Sequence, residues 1–418
     1  MVKTSFWGIT KPALRYNNSV PASIKDMPVP ATVTLFLKEE RGKIETAARP
    51  GDSVKTGERL FSSENHDHYV VSTVTGTIVD ISRYTDAYGQ VYDAIKIHSQ
   101  DEEIWDGEFN KEETLKSAIN FLESLPGGFS FRIFSNPAVS IDTIVICGVD
   151  EDLLVTTRQQ IVKSEASNIN AGIEILRKIT GVKNIILAVP ETLSSEARGM
   201  GAKVKTVSPL YPHALPPILV KDIVKRVVPA GKRPEEVGVS VISVESVAGL
   251  GSAFGTGKIP VTKLLTVIDK GGSISNIRCR IGTPIGDVLA VCHISLDEMD
   301  RLILGGPMRG VSTYSKELPV EPNTDAILVQ NKGEGLVVKD HPCINCGACV
   351  RVCPAGIQVN LLGRYIEFGR YEEAGNYDLF SCIECGLCAY VCIARRPLLQ
   401  FIITAKHELQ VSKHFILV

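Results

Sequence analysis

Two short stretches near the end of the sequence are dense in cysteine and almost repeat each other. They read CINCGACVRVCP at residues 343–354 and CIECGLCAYVCIA at residues 382–394. The chain has 418 residues and 11 cysteines, of which only Cys147, Cys279 and Cys292 lie elsewhere. Thiols concentrated in this way, in a chain expected to stay in the cytoplasm, indicate metal binding rather than disulfide pairing.

Each stretch has the spacing C-x2-C-x2-C-x3-C, which is typical of proteins that hold two [4Fe–4S] clusters. Three thiolates two residues apart wrap one cluster, and the fourth begins a helix that carries it to the neighbouring cluster. The spacing therefore predicts two ligand sets, which are Cys343, Cys346, Cys349 and Cys392 for one cluster and Cys382, Cys385, Cys388 and Cys353 for the other. Structural zinc is the alternative, but its paired C-x2-C ligands leave the third and fourth thiols of each stretch unexplained.

Composition and charge exclude several other classes of protein. The chain carries 45 basic and 47 acidic residues and a formal net charge of −2, which gives no electrostatic footprint for nucleic-acid binding. No apolar run approaches the roughly 18 to 20 residues of a membrane-spanning helix, and the N-terminus lacks the apolar core of a signal peptide. We therefore expect a cytoplasmic protein, which could still dock on a membrane complex.

The hydrophobic pattern changes along the chain. Residues 30–100 alternate Val, Thr and Ile between Gly-Asp and Thr-Gly turns, which predicts a small β barrel or sandwich. From about 113 to 235, helical patterns alternate with buried-strand runs, and this alternation predicts a parallel sheet of α/β type. Residues 260–315 return to β patterns. The sequence thus predicts an α/β multidomain protein that ends in a cysteine-rich region.

Two further stretches invite a ligand-binding interpretation. The run GLGSAFGTGKIP at 249–260 lacks the spacing of a phosphate-binding loop, since Ser252 and Ile259 stand where glycine and Ser or Thr are needed. We predict a flexible interdomain loop there. The stretch DTIVICGVDED at 142–152 is a buried strand followed by acids, at the place where α/β sheets bind ligands. An ordinary solvated turn explains it equally well.

The order of these modules resembles the C subunit of the Rnf electron-transport complex, the RnfC-like family, which is also similar to the NADH-binding flavoprotein subunit of respiratory complex I. The segments TVIDKGGSISNIRCRIGTPIGDVL, LGGPMRG and CIECGLCAYVC carry the resemblance. It implies a barrel-sandwich domain at 1–110, a Rossmann-like flavoprotein-type α/β domain at 111–257, a soluble-ligand-binding (SLBB-like) β-grasp domain at 258–325 and a ferredoxin-like domain with two [4Fe–4S] clusters at 326–418.

The resemblance also marks where a flavin mononucleotide (FMN) and NADH pocket would lie. The flavin loop of the family corresponds to LPGGFSFRIF, which keeps Gly127, Gly128 and Phe129. The strand-end acids correspond to Asp150 and Asp152 in CGVDEDL. Two more flavin-site motifs correspond to YPHALP and VISVES, both altered from the family pattern. The resemblance therefore implies a degenerate pocket whose candidate cofactor-binding residues are Gly127, Gly128, Asp150 and Asp152.

The sequence as a whole predicts an iron–sulfur subunit that relays single electrons between partner subunits of a larger oxidoreductase complex. Its partners would be other redox subunits, either flavoproteins or ferredoxin-like proteins, and it would sit in the cytoplasm or on the cytoplasmic face of a membrane complex. The alternative is an FMN-containing NADH dehydrogenase module that feeds the clusters. A third interpretation is an adaptor whose clusters only stabilise the fold.

Overall fold

The computed structural model describes residues 4–5, 8–9, 12–38, 48–61, 69–86, 89–334 and 341–416. A short antiparallel pair, β1 (Thr4–Ser5) and β2 (Gly8–Ile9), lies at the beginning. The strands that follow are β3 (Ile24–Asp26), β4 (Thr32–Lys38), β5 (Ser53–Val54), β6 (Arg59–Phe61), β7 (Tyr69–Val71), β8 (Gly76–Thr85) and β9 (Val91–Ser99).

Strands β4 to β9 form the barrel-sandwich domain that the sequence predicts. One antiparallel sheet has the order β4-β9-β8-β5, and β6 pairs with β7 beside it. In β4 the side chains of Val33, Leu35 and Leu37 are buried while their neighbours are more exposed. This period of two is what a half-buried strand requires, and it places the three side chains in one core with Ile95 and Ile97.

The next region is built on a parallel sheet of order β12-β11-β10-β13. Its elements are α1 (Leu115–Phe121), β10 (Thr143–Cys147), α2 (Thr157–Ser164), α3 (Ala166–Thr180), β11 (Asn184–Pro190), β12 (Lys203–Val207), α4 (Pro216–Leu219), β13 (Val239–Ser243) and α5 (Val244–Thr256). Every residue of β10 is buried, because helices cover both faces of a parallel sheet.

The glycine-rich run at 249–260 is not a loop, and our prediction there was wrong. Residues up to Thr256 belong to α5, which packs on α3 at very short range. A Cβ atom on Gly251 would overlap the carbonyl oxygen of Asn168, and one on Gly172 would overlap that of Val247. The glycines therefore allow two helix backbones to touch, and this packing offsets their low helix propensity.

A mixed sheet of order β17-β16-β18-β14-β15-β3 follows. Its elements are β14 (Thr262–Ile268), β15 (Ile274–Arg280), α6 (Ile285–Val291), β16 (Arg301–Leu304), β17 (Val311–Thr313) and β18 (Ala326–Gln330). Strand β3 joins its edge by pairing in parallel with β15. The β-grasp identity of this region and the four domain boundaries stay predictions.

The C-terminal region is helical. It consists of α7 (Ala348–Val352), α8 (Val359–Glu367), α9 (Tyr371–Gly375), α10 (Leu387–Tyr390) and α11 (Leu398–Ile416). Leu362, Leu379 and Ile402 are fully buried at its centre, among the cysteines. In the part of the chain that the structure describes, no helix combines the length and apolar character needed to cross a membrane.

Candidate metal centres

The two cysteine stretches repeat each other in backbone conformation as well as in sequence. At three equivalent positions both stretches adopt left-handed φ angles between 53° and 74°, and the pairs are Asn345 and Glu384, Gly347 and Gly386, and Gly356 and Arg395. A left-handed residue that is not glycine costs roughly 1–2 kcal/mol. Its recurrence at matching positions indicates that each loop needs this path to bring its thiols to one centre.

The first set of thiols surrounds a small void that the beginning of α7 also lines. Cys343, Cys346 and Cys349 line it from one stretch, and Cys392 lines it from the other. Gly363 of α8 also lines this void. Cys346 is exposed and Cys349 is buried, so one edge of this centre reaches the protein surface.

The second set surrounds a separate void. Cys382, Cys385 and Cys388 line it together with Cys353, which comes from the first stretch. Cys385 and Cys388 are both buried. The crossed arrangement that the spacing predicts is therefore the one in which the structure brings the eight thiols together.

The two voids suit a cluster in their donor chemistry. Each is bordered by four soft sulfur ligands, which is the ligand set of a [4Fe–4S] cluster. In the described ranges, no three His, Cys, Asp or Glu side chains close around a single-ion position. Backbone N–H groups also donate to the sulfurs, from Glu384 to Cys382 and from Arg396 to Cys392, both at 3.4 Å.

Burial keeps the most enclosed thiols protonated until a metal binds. Burial first, and then the nearby Cys392, Cys343 and Cys346, raise the pKa of Cys349 to about 11. Burial, together with the nearby Cys382 and Cys353, likewise raises the pKa of Cys385 to about 11. Iron binding must therefore release protons from these thiols, which makes cluster assembly depend on pH.

Other protein groups pack directly against Gly127 of the predicted flavin loop. The N–H of Gly127 donates to the carbonyl oxygen of Pro322 at 2.7 Å, and a Cβ atom on Gly127 would overlap Oγ of Ser243. Gly128 lines a different space, a cavity of about 260 Å³ between the barrel-sandwich domain and residues 319–323.

The two predicted pocket acids are also bonded within the protein. Asp150 accepts hydrogen bonds from the backbone N–H groups of Arg158 and Gln159 at the start of α2, at 2.7 and 3.4 Å. Asp152 accepts from the N–H groups of Met308 and Arg309, at 3.1 and 2.8 Å. Burial raises the pKa of both carboxyl groups. Neither acid lines the cavity beside Gly128, and the assignment of these four residues to one cofactor pocket stays a prediction.

Two family descriptions match this chain. One, the RnfC barrel sandwich hybrid domain, matches residues 4–103, and the other, a 4Fe-4S dicluster domain, matches residues 336–393. The similar proteins include the C subunit of the ion-translocating oxidoreductase complex of Rhodobacter capsulatus, which is 27% identical over 94% of this chain and 81% of its own length. These matches confirm the resemblance to the RnfC-like family that the sequence indicates.

Two further relatives of this chain have more specific names. The C subunit of the proton-translocating ferredoxin:NAD(+) oxidoreductase complex of Clostridium ljungdahlii is 26% identical over 94% of this chain and 91% of its own length. The Na(+)-translocating counterpart of Acetobacterium woodii is 26% identical over 86% of this chain and 87% of its own length. The dicluster match covers both cysteine stretches, apart from one residue, and confirms that the cofactor type is an iron–sulfur cluster.

The sequence interpretation missed a buried network of charges. Lys263 of β14 is fully buried and forms ion pairs with Glu245 of α5 and with Asp325, the latter at 2.9 Å. Burial raises the pKa of Glu245 to about 7, although Lys263 beside it favours the carboxylate. The two carboxylates raise the pKa of Lys263, which therefore stays charged.

The network continues from Asp325 toward the acids at the end of β10. Arg158 lies 3.4 Å from Asp325 and 2.8 Å from Glu151, and Glu151 also pairs with Arg309 at 2.9 Å. This chain of ion pairs joins the parallel sheet to the mixed sheet. A lone lysine in a strand gives no sequence signal of such a network, since its partners come from distant segments.

Proposed function

We propose that this protein carries single electrons through two [4Fe–4S] clusters between partner subunits of a larger oxidoreductase complex. The observation that carries the proposal is the pair of neighbouring voids, each bordered by four cysteines. When bound there, the clusters would accept and release one electron at a time. The ligands would be Cys343, Cys346, Cys349 and Cys392 for the first cluster, and Cys382, Cys385, Cys388 and Cys353 for the second.

The crossed ligands support a relay, because they hold the two centres close together. Cys349 lies in the first turn of α7 and Cys353 directly follows the last residue of that helix, and the two line different voids. Four residues of helix rise by roughly 6 Å, which limits how far apart the two centres can be. This short separation keeps the two centres close enough for an electron to pass directly from one to the other.

The first centre offers the contact to a partner. Cys346 is exposed, Ile344 of the same void is 65% exposed, and Ile393, which follows Cys392, is 54% exposed. The relatives of this chain are named as C subunits of ion-translocating complexes, and two of these complexes are named as ferredoxin:NAD(+) oxidoreductases. We therefore expect a protein partner, itself a redox subunit, to approach this edge while the chain sits peripherally on its complex.

The work of the protein in this function is to position and tune the clusters. Thiolates hold the iron, N–H groups such as those of Glu384 and Arg396 donate to the sulfurs, and burial lowers the local polarity. These three factors set cluster potentials. The relay itself requires no general acid, base or nucleophile.

The test uses protein purified without oxygen. We would measure iron, zinc, acid-labile sulfide and extractable flavin, and record the visible spectrum before and after adding NADH and then dithionite. About eight irons per chain, no flavin and bleaching only by dithionite would support the relay. Zinc in place of iron would overturn it.

The same experiment decides between the relay and the flavin alternative. Bound FMN with rapid bleaching by NADH would make Gly127, Gly128, Asp150 and Asp152 candidates for an NADH entry site again. Clusters that dithionite cannot reduce would favour the purely structural role.

A further inference from the structure

We infer that Asp152 and Tyr211 are positioning residues that hold the cysteine loop of the second cluster. Both fall in stretches that match the degenerate flavin and NADH motifs. Tyr211 contacts the segment that surrounds Cys385 and Gly386, and Asp152 holds the backbone of Met308, which packs against that segment. The inference rests on the cluster assignment under Proposed function and adds a role for residues outside the ligand set.

Tyr211 reaches the loop directly. Its hydroxyl donates a hydrogen bond of 2.6 Å to the carbonyl oxygen of Cys385, and its side chain is buried. The ring of Tyr16 packs edge-on against it at 5.7 Å between centroids. The hydroxyl of Tyr16 in turn accepts a bond from the N–H of Ala214 at 3.0 Å. The Tyr211 side chain is therefore fixed before any cluster binds.

Asp152 reaches the loop through one intermediate segment. Its carboxylate holds the N–H groups of Met308 and Arg309, so it fixes the backbone that follows β16. The carbonyl oxygen of Met308 lies 2.5 Å from the position that a Cβ atom on Gly386 would take. Only glycine at 386, with φ of 74°, allows this approach.

The first cluster has a different environment at the equivalent position. Gly347 corresponds to Gly386. A Cβ atom on Gly347 would lie 3.0 Å from the end of the Arg351 side chain, which is its nearest neighbour. Cys346, which corresponds to Cys385, is exposed. The second loop is therefore held from two sides by the rest of the protein, whereas the first faces outward.

Loss of either contact should loosen the second loop alone. The peptide of Cys385 would lose a donor on its carbonyl oxygen, or the Met308 backbone would move away from Gly386. Either change alters the orientation of N–H dipoles near the sulfurs, and this orientation contributes to the potential of a cluster. It also exposes the second cluster to attack by chelators.

The test compares Tyr211→Phe and Asp152→Asn with Asp150→Asn in the full chain. Asp150 is the matched control, because it is as buried as Asp152 and also binds two backbone N–H groups, but those belong to α2. We would follow anaerobic iron release to a chelator and titrate the potentials of both clusters by electron paramagnetic resonance. In Tyr211→Phe and Asp152→Asn, half of the iron should leave about fivefold faster, as expected when one hydrogen bond is lost. The potential of only one cluster should shift.

A Cys346→Ser background identifies the affected cluster, because it should retain only the second. The faster phase and the shifted potential should persist there. Unchanged kinetics and potentials in both variants, an effect on the first cluster, or an equal effect in Asp150→Asn would overturn the inference. Wild-type protein without two clusters would instead overturn the proposed function, and this outcome is seen before any variant is compared.

Discussion

Cys349 and Cys353 lie at the two ends of one turn of α7, yet they line different voids. Cys349 shares its void with Cys343, Cys346 and Cys392, whereas Cys353 joins the three cysteines of the second stretch. Each stretch therefore contributes one thiol to the void that the other stretch lines with three.

The first prediction concerns this exchange of ligands. Cys353→Ser should lose about four of about eight irons, because it removes a ligand from one cluster only. The double variant Cys353→Ser with Cys385→Ser should hold as much iron as Cys353→Ser alone. The double variant Cys353→Ser with Cys346→Ser should lose almost all of its iron. Iron and sulfide analysis of the single and double variants checks this. A Cys353→Ser protein that loses further iron only with Cys385→Ser would show that Cys353 serves its own stretch.

A second prediction compares the two equivalent glycines of the loops. Gly386→Ala places a Cβ atom against the carbonyl oxygen of Met308, in addition to straining a left-handed residue. Gly347→Ala meets only the movable end of Arg351 and should cost just the strain, roughly 1–2 kcal/mol. We expect Gly386→Ala to lose the second cluster and Gly347→Ala to keep both. Iron content measures the difference, and equal losses would contradict the packing described here.

The third prediction concerns stability and pH. Burial raises the pKa of Glu245 to about 7, above its ordinary value, so the folded protein binds a proton that the unfolded chain has released. The protonated Glu245 therefore stabilises the folded protein at low pH, relative to its ionised form, and this stabilisation is lost as the pH rises through 7. Because this stabilisation is lost, the free energy of unfolding should fall by about 2 kcal/mol between pH 5.5 and 8.

Glu245→Gln should remove this part of the pH dependence, since glutamine stays neutral. Lys263 remains charged throughout the range, because the neighbouring carboxylates raise its pKa. Circular dichroism of anaerobic protein in urea, at several pH values, gives the free energies. A pH slope identical in the variant and the wild type would show that Glu245 is ionised throughout.

A fourth prediction tests the contact between α3 and α5. Gly251→Ala drives a methyl group into the backbone of Asn168 and should destabilise the protein by about 2–3 kcal/mol. Gly255→Ala lies on the same helix with open space around it and should stabilise by about 0.5–1 kcal/mol. Urea unfolding measures both. Similar effects at the two positions would mean that the helices are not in contact at Gly251.

The sequence predicted those features that local patterns govern. Cysteine spacing indicated the iron–sulfur clusters because three ligands come from one tight loop, and alternation in segments such as β4 indicated the barrel sandwich, which the family match confirms. The crossed ligand sets, the four domain boundaries and the flavin residues remain predictions for the experiments above.

Tertiary structure decided what depends on residues far apart in the chain. Asp152 is bonded to Met308, 156 positions away, and Tyr211 to Cys385, 174 positions away, so nothing near either residue reveals its partner. The glycines of α5 form a helix only because α3 packs against them. Lys263 is charged in a strand core only because Glu245 and Asp325 meet it there. Local sequence thus determined which cofactor the chain can hold, while long-range packing decided which residues surround it.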